Sequence, residues 1–559
     1  MRDYLSLRRR TPDRRGERPL EYERPELMAL GDSLYNGVQS MRVNWFLSEW
    51  SVPTSVAIAL GLVEEFRADR TGQRRFHGPQ YPSHGAVPAR TIDYGLPLET
   101  MPDSIVGTLR LPRSLADPLD NLLNGPLPDN RRAMIDNLAF SGANSHDLLF
   151  WTAEDHAKQA QEAIRRLSTD AGGIASRFGN LSTAFFHTNA AFVLNPMRDD
   201  CIAKMTPVDH VVLRKPRRLL VQIGPNDGLW LLAFEGVSTG SVACGNEEAA
   251  IRSATTGERR CARSSTGAAV SIAESMKAHY VSNIKRLMLQ LSRVTEIEDV
   301  YLNNLPLPSG TANLVPHTVN GNQEWYSDFL SGRRIRTSVP AERISESDKL
   351  ITEVNLAVAA AVAEANNARN SRGPRFHIVD VNAALAALDA KRCEISNPVP
   401  QNCTQRRSLV LQASRFKIPE TVVMTNYPVR MAGDPPTPNS PYQTRLVQGG
   451  LFSFDNMHLS SVGYEVMAQA VISKMRSTGV TLLATYHPDG RERCLDPHQA
   501  GYEAMTYGDC ATLLTTPGWS YADATRRTHV FLRHIDPQQS DNADRLSARL
   551  AFLSRLFNN

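Results

Sequence analysis

The chain has no apolar run approaching the ~18 residues of a membrane span, which excludes an integral membrane protein. Aromatic residues are scarce, at 7% of 559 positions, and no apolar lid stands out, so an interfacial lipase is disfavoured. Charge of one sign is missing as well. The 62 Lys+Arg against 58 Asp+Glu leave only +4, without the basic surplus expected of a nucleic-acid binder. Cysteines occur without any Cys-x-x-Cys spacing, which argues against zinc. No internal repeat of fixed period is present.

What is there is an ordinary globular balance, 42% hydrophobic and 21% charged. The length fits two to four domain-sized pieces, or one enlarged domain with long insertions. Residues 1–26 hold eight Arg and six acidic side chains and no apolar signal-peptide core, so they read as a charged N-terminal arm. A basic tether to anionic lipid is the weaker alternative, because the acids cancel most of the field. Six of the seven cysteines fall into close pairs: Cys244 with Cys261, Cys393 with Cys403, Cys494 with Cys510. Cys201 is left over. Such pairs suit loop-closing disulfides of about 3 kcal/mol each and point to an extracytoplasmic or secreted protein. Reduced cysteines in a cytosolic enzyme are the alternative, which the missing signal segment favours.

Short apolar runs closed by turn residues predict strands at Leu27–Leu30, Met134–Phe140, Leu219–Ile223, Val300–Leu307 and Phe376–Val381. Between them, helical spacing predicts helices from Pro53, over 268–294, over 348–367 and over 459–475. Alternating strands and helices predict an α/β fold, a parallel sheet with helices on both faces. Such sheets bind ligands outside the carboxyl ends of their strands. A core over 27–477 is expected, with loop insertions at about 66–130, 228–266 and 382–450 and a C-terminal extension over 478–559 packed on it.

Four strand ends or loops carry chemistry. Gly31-Asp32-Ser33-Leu34 follows the first strand. A serine on such a turn exposes its hydroxyl, with its own N–H aimed into the same space. In Ser141-Gly142-Ala143-Asn144-Ser145 the bare Gly142 lets a substrate approach its N–H. Gly224-Pro225-Asn226-Asp227 offers an uncharged carboxamide donor at Asn226, and Pro225 restricts Gly224 to extended geometry. In Asp455-Asn456-Met457-His458 a carboxylate can hold one imidazole nitrogen while the other faces the serine.

These four blocks, in this order, resemble the GDSL or SGNH hydrolases. The resemblance implies a flavodoxin-like three-layer αβα fold, Ser33 as nucleophile, His458 as base and Asp455 as the residue that orients it. It implies an oxyanion hole of the Ser33 and Gly142 N–H groups and the Asn226 side chain. Leu459 stands where the family often has Pro after the histidine. Asp32 and Asp227 read as structural, holding their turns through backbone hydrogen bonds. Trp230 and His146 are candidate pocket residues, although a core or insertion-packing role suits Trp230 somewhat better. Gly236-Val237-Ser238-Thr239-Gly240 matches the rival G-x-S-x-G elbow but lacks the following helix. His487, Asp489, Asp496 and His498 can be drawn as a metal cluster, yet their Pro-rich setting reads as surface loop.

The expected reaction is ester hydrolysis through an acyl-enzyme, on a small-molecule, lipid or acylated-glycan ester. The alternatives are acyl transfer to a glycan or lipid acceptor at the same site, and a non-catalytic binding module. The chemistry requires no cofactor and no metal. Oligomeric state is left open.

Overall fold

The computed structural model describes residues 24–482 except 39–41, 44–47, 49, 64–74, 80–91, 94–118, 126–133, 170–173, 231–271, 313, 320–321, 328–329, 332–333, 336–337, 370–371, 392–424, 428–429, 433–444, 449–450 and 453–456; beyond 482 it describes only 494–495 and 504–505. Much of each expected insertion, the N-terminal arm up to residue 23, Ser238 and the four candidate metal ligands therefore lie outside the described residues. So do the paired cysteines, apart from the backbone of Cys494; Cys201 is a free thiol.

β1 (Leu27–Gly31) is buried along its whole length. Leu27 and Ala29 point into one apolar cluster, Met28 and Leu30 into another. That period of two, with both faces covered, is the signature of a central strand in a parallel sheet. β2 (Arg218–Gln222), β3 (Asp299–Asn303) and β4 (Arg375–Val379) complete a four-stranded parallel sheet in the order β1-β2-β3-β4. Leu27 lies opposite Arg218, Arg218 opposite Asp299, and Asp299 opposite Arg375.

The strand expected at 134–140 is irregular. It bridges β1 at one point, Ala29 to Asn137. Even so, its backbone follows β1: the Leu138 N–H donates to Ala29 O at 2.8 Å and the Phe140 N–H to Gly31 O at 3.1 Å. Counting it as the second strand in sequence, the spatial order is 2-1-3-4-5, the flavodoxin-like order.

Two helical layers cover the sheet. α1 (Ser33–Asn36) is a single turn after β1. α2 (Val52–Ala59) carries Pro53 in its first turn, where proline is tolerated, and is buried throughout. It shares one cluster with Leu27, Ala29 and Leu220. On the other face lie α3 (Ser145–Phe150), α4 (Ala153–Thr169), α5 (Ile174–Leu194), α6 (Pro207–Arg214), α7 (Ile272–Leu291) and α8 (Ala341–Asn367). α9 (Val381–Ala386) and α10 (Ser461–Ser477) return to the α2 side. The result is a three-layer α/β fold. α8 begins seven residues before the expected Asp348, because Ile344 and Ser347 are already buried on its inner face. Among the described residues, no helix is long and apolar enough to cross a membrane.

Candidate active site

Ser33 opens α1. Asp32 caps that turn, its carboxylate accepting from the Leu34 N–H at 3.0 Å, while its own N–H donates to Gln222 O at 3.0 Å. This is the structural work expected of it. Gly31 is required by crowding: a Cβ there would lie 2.7 Å from Gln222 O. The Ser33 loop is thus seated on the end of β2, at the point where the strand order reverses. Such switch points leave a crevice at the carboxyl ends of the strands.

The second block is laced to the first. The Asn36 carboxamide donates to Ala139 O at 2.8 Å, and that of Asn137 donates to Tyr35 O at 2.9 Å. Gly142 has φ +76°, in the left-handed region that favours glycine. A Cβ there would press on Phe186 at 3.1 Å. Neither the Ser33 nor the Gly142 amide donates to any described residue.

The third block is laced to the second. Asn226 donates one side-chain N–H to Ala143 O at 3.0 Å, which holds the carboxamide beside Gly142. Asp227 accepts from the Ser145 N–H at 3.0 Å and from the Ser145 hydroxyl. This too is the expected structural role. Gly224 departs from expectation. It sits at φ +136°, ψ −37° rather than extended, and a Cβ would meet Leu305 at 2.7 Å. Lacking a side chain, it takes a turn that Pro225 would forbid to other residues.

The fourth block arrives with α10. Ser460 caps this helix, its hydroxyl accepting from the Gly463 N–H at 3.1 Å, and its N–H donates to Leu451 O at 2.9 Å. Tyr464, fully buried one turn in, donates its hydroxyl to Val38 O, five residues past Ser33. His458 lies half-buried just ahead of the cap. Its charge reaches Asp32, where it opposes the upward pull of burial. Burial wins: Asp32 rises to about 7, with the Asp227 charge adding to the rise. Asp227 also rises to about 7, from burial. Asp455 lies outside the described residues.

An apolar crevice runs between the first and last blocks, walled by Leu34, Trp230, Leu307, Leu385, Phe452 and Leu459. Its polar neighbours are engaged elsewhere. Thr311 donates to Pro308 O at 2.7 Å, and Asn426 donates to Gly310 O at 3.0 Å and to Asp389 at 2.8 Å. Asn382 accepts from the Leu307 N–H at 3.1 Å. The residue that replaces the family's usual Pro, Leu459, is thereby a wall of the crevice. Trp230 both lines it and packs, its indole donating to Pro306 O at 3.2 Å. His146 is not brought to this crevice; it lines a separate cavity with Phe150 and Arg286. Of these walls the sequence offered only Trp230 as a pocket candidate, since they come from separate stretches of chain.

A sheet held between helices, with its polar loops gathered at the switch point, defines a three-layer α/β protein whose crevice is fit for chemistry. Compared with known families, residues 27–471 match the model of the GDSL-like lipases and acylhydrolases. The chain belongs to this family and is a hydrolase. No curated protein and no solved structure matches it.

Proposed function

We propose that the protein is a serine esterase that cleaves carboxylic esters through an acyl-enzyme. Ser33 attacks the carbonyl while His458, oriented by Asp455, takes the hydroxyl proton. The tetrahedral oxyanion lies among the Ser33 N–H, the Gly142 N–H and the second side-chain N–H of Asn226. His458 then protonates the leaving alkoxide, and water repeats the cycle. The acyl group occupies the apolar crevice beside Leu34. Esters are favoured over amides because an alkoxide leaves more readily than an amine.

The observation that carries this reading is the interlocking of three loops: Asp32 on Gln222, Asn36 and Asn137 across the first two blocks, and Asn226 on Ala143. Together they leave two undonated amides and a carboxamide on neighbouring turns. A fluorophosphonate probe should label wild-type protein and the Ser238→Ala variant and leave Ser33→Ala unlabelled. Labelling retained in Ser33→Ala and lost in Ser238→Ala would transfer the nucleophile to the rival motif.

A further inference from the structure

A second cavity, of about 570 Å³, opens where α3, α4 and α7 meet. It is separate from the apolar crevice and shares no residue with it. Its floor is aromatic. Phe150, 36% exposed, is among the few large apolar side chains exposed among the described residues, and Trp151 follows it. Above Phe150 stands the Arg286 guanidinium, 4.6 Å from the ring centroid. The His146 ring is tilted against the Phe150 ring, with centroids 4.6 Å apart. Lys158 and Gln159 add donors from α4.

Most of the charge on this rim is already engaged. Its one acid, Asp155, is occupied as a helix cap, accepting from the Thr152 N–H at 3.0 Å and the Thr152 hydroxyl at 2.6 Å. Lys158 is paired with Glu154 at 2.6 Å. Arg286 makes no ion pair among the described residues. A planar guanidinium held against a ring, with its outer N–H groups uncommitted, is built to receive a carboxylate or phosphate through two parallel bonds. Aromatic walls with a few convergent donors are the usual make-up of small-ligand sites.

The cavity also lies within reach of the reaction. His146 is four residues past Gly142, so at most about 14 Å of chain separates them. We propose that this cavity binds an anionic group carried by the substrate, with Arg286 as its clamp and Phe150 as its platform. That the anion belongs to an ester being cleaved rests on the esterase reading; that an anion binds does not. A carboxylated sugar and a phosphorylated lipid head group would both supply such a group.

The full-length Ser33→Ala protein separates binding from turnover. Ligand-observed NMR at low salt, with D-glucuronate and with glycerol phosphate as probes, should show saturable binding of at least one. The tighter of the two names the source. Arg286→Ala should weaken that binding at least tenfold, and Arg286→Lys less, since charge survives while the fork is lost. High salt should weaken it too, because an exposed ion pair is screened. With active enzyme, the KM ratio of an acetylated glucuronate to p-nitrophenyl acetate should rise at least fivefold in Arg286→Ala. No saturable binding of either probe, or binding indifferent to Arg286→Ala, overturns the proposal. Binding that persists in a protein hydrolysing neither ester would retire the esterase reading and leave the anion site standing.

Discussion

Asn226 and Gly224 stand two residues apart and fail differently when changed. Asn226 is tied to Ala143 by one amide hydrogen, and on the proposed mechanism the other meets the oxyanion, so truncation removes both the tie and the donor. Asn226→Ala should lower kcat by ~10²–10³ with a modest change in KM, which steady-state kinetics on a short-chain ester will read. Gly224 has a backbone conformation and a contact with Leu305 that admit no Cβ. Gly224→Ala should destabilise the fold by about 1–3 kcal/mol, seen as a lower midpoint in urea unfolding. At this scale the sequence was most informative. Ser33, Gly142, Asn226 and His458 could be singled out as candidates because each sits in a short motif beside a strand or helix. The positive φ of Gly224 was not legible, because a Pro to its right predicted the opposite.

The helices α4, α5 and α6 went unread, and their composition explains it. The inner face of α4 is Ala153, His156, Ala160, Ala163 and Leu167, in which small residues and a histidine dilute the apolar stripe. α6 carries a comparable concealed feature. His210 is fully buried, neither ring nitrogen has a hydrogen-bond partner among the described residues, and burial presses it down to about 3, with the Arg214 charge adding to the effect. A histidine depressed in the folded state is neutral there and takes a proton only on unfolding. Stability is therefore lost as pH falls below the ordinary 6.5 toward 3. His210→Leu removes that proton uptake and two unsatisfied buried nitrogens. Its melting temperature should exceed wild type, by a margin that widens from pH 8 to pH 5 in thermal unfolding.

Across the molecule, buried carboxylates act in the opposite sense to the histidines. Asp32, Asp147 and Asp227 are each raised to about 7, chiefly by burial, and the Asp227 charge lifts the other two. Such groups stabilise the fold fully below the unfolded value of 3.8, and the contribution is lost as pH rises toward 7. Asp32→Asn keeps an acceptor for the Leu34 N–H and removes the titration. Its melting temperature should decline less than wild type's between pH 4 and pH 7, and an equally steep decline would rule out a protonated Asp32. The sheet and both helical layers were readable from alternating periodicities, and the flavodoxin-like order only through the family resemblance. The electrostatic setting was not, since it depends on Asp32, Asp227 and His458 meeting across more than four hundred residues.

The hydrogen bond from Tyr464 to Val38 joins an element made early to one made late. During translation the serine turn would leave the ribosome long before the histidine that serves it exists. On the proposed mechanism, a nascent chain or any fragment ending before residue 458 would be inert. Hydrolytic power would then be switched on once, when the closing helix docks, sparing cellular esters from a half-built enzyme.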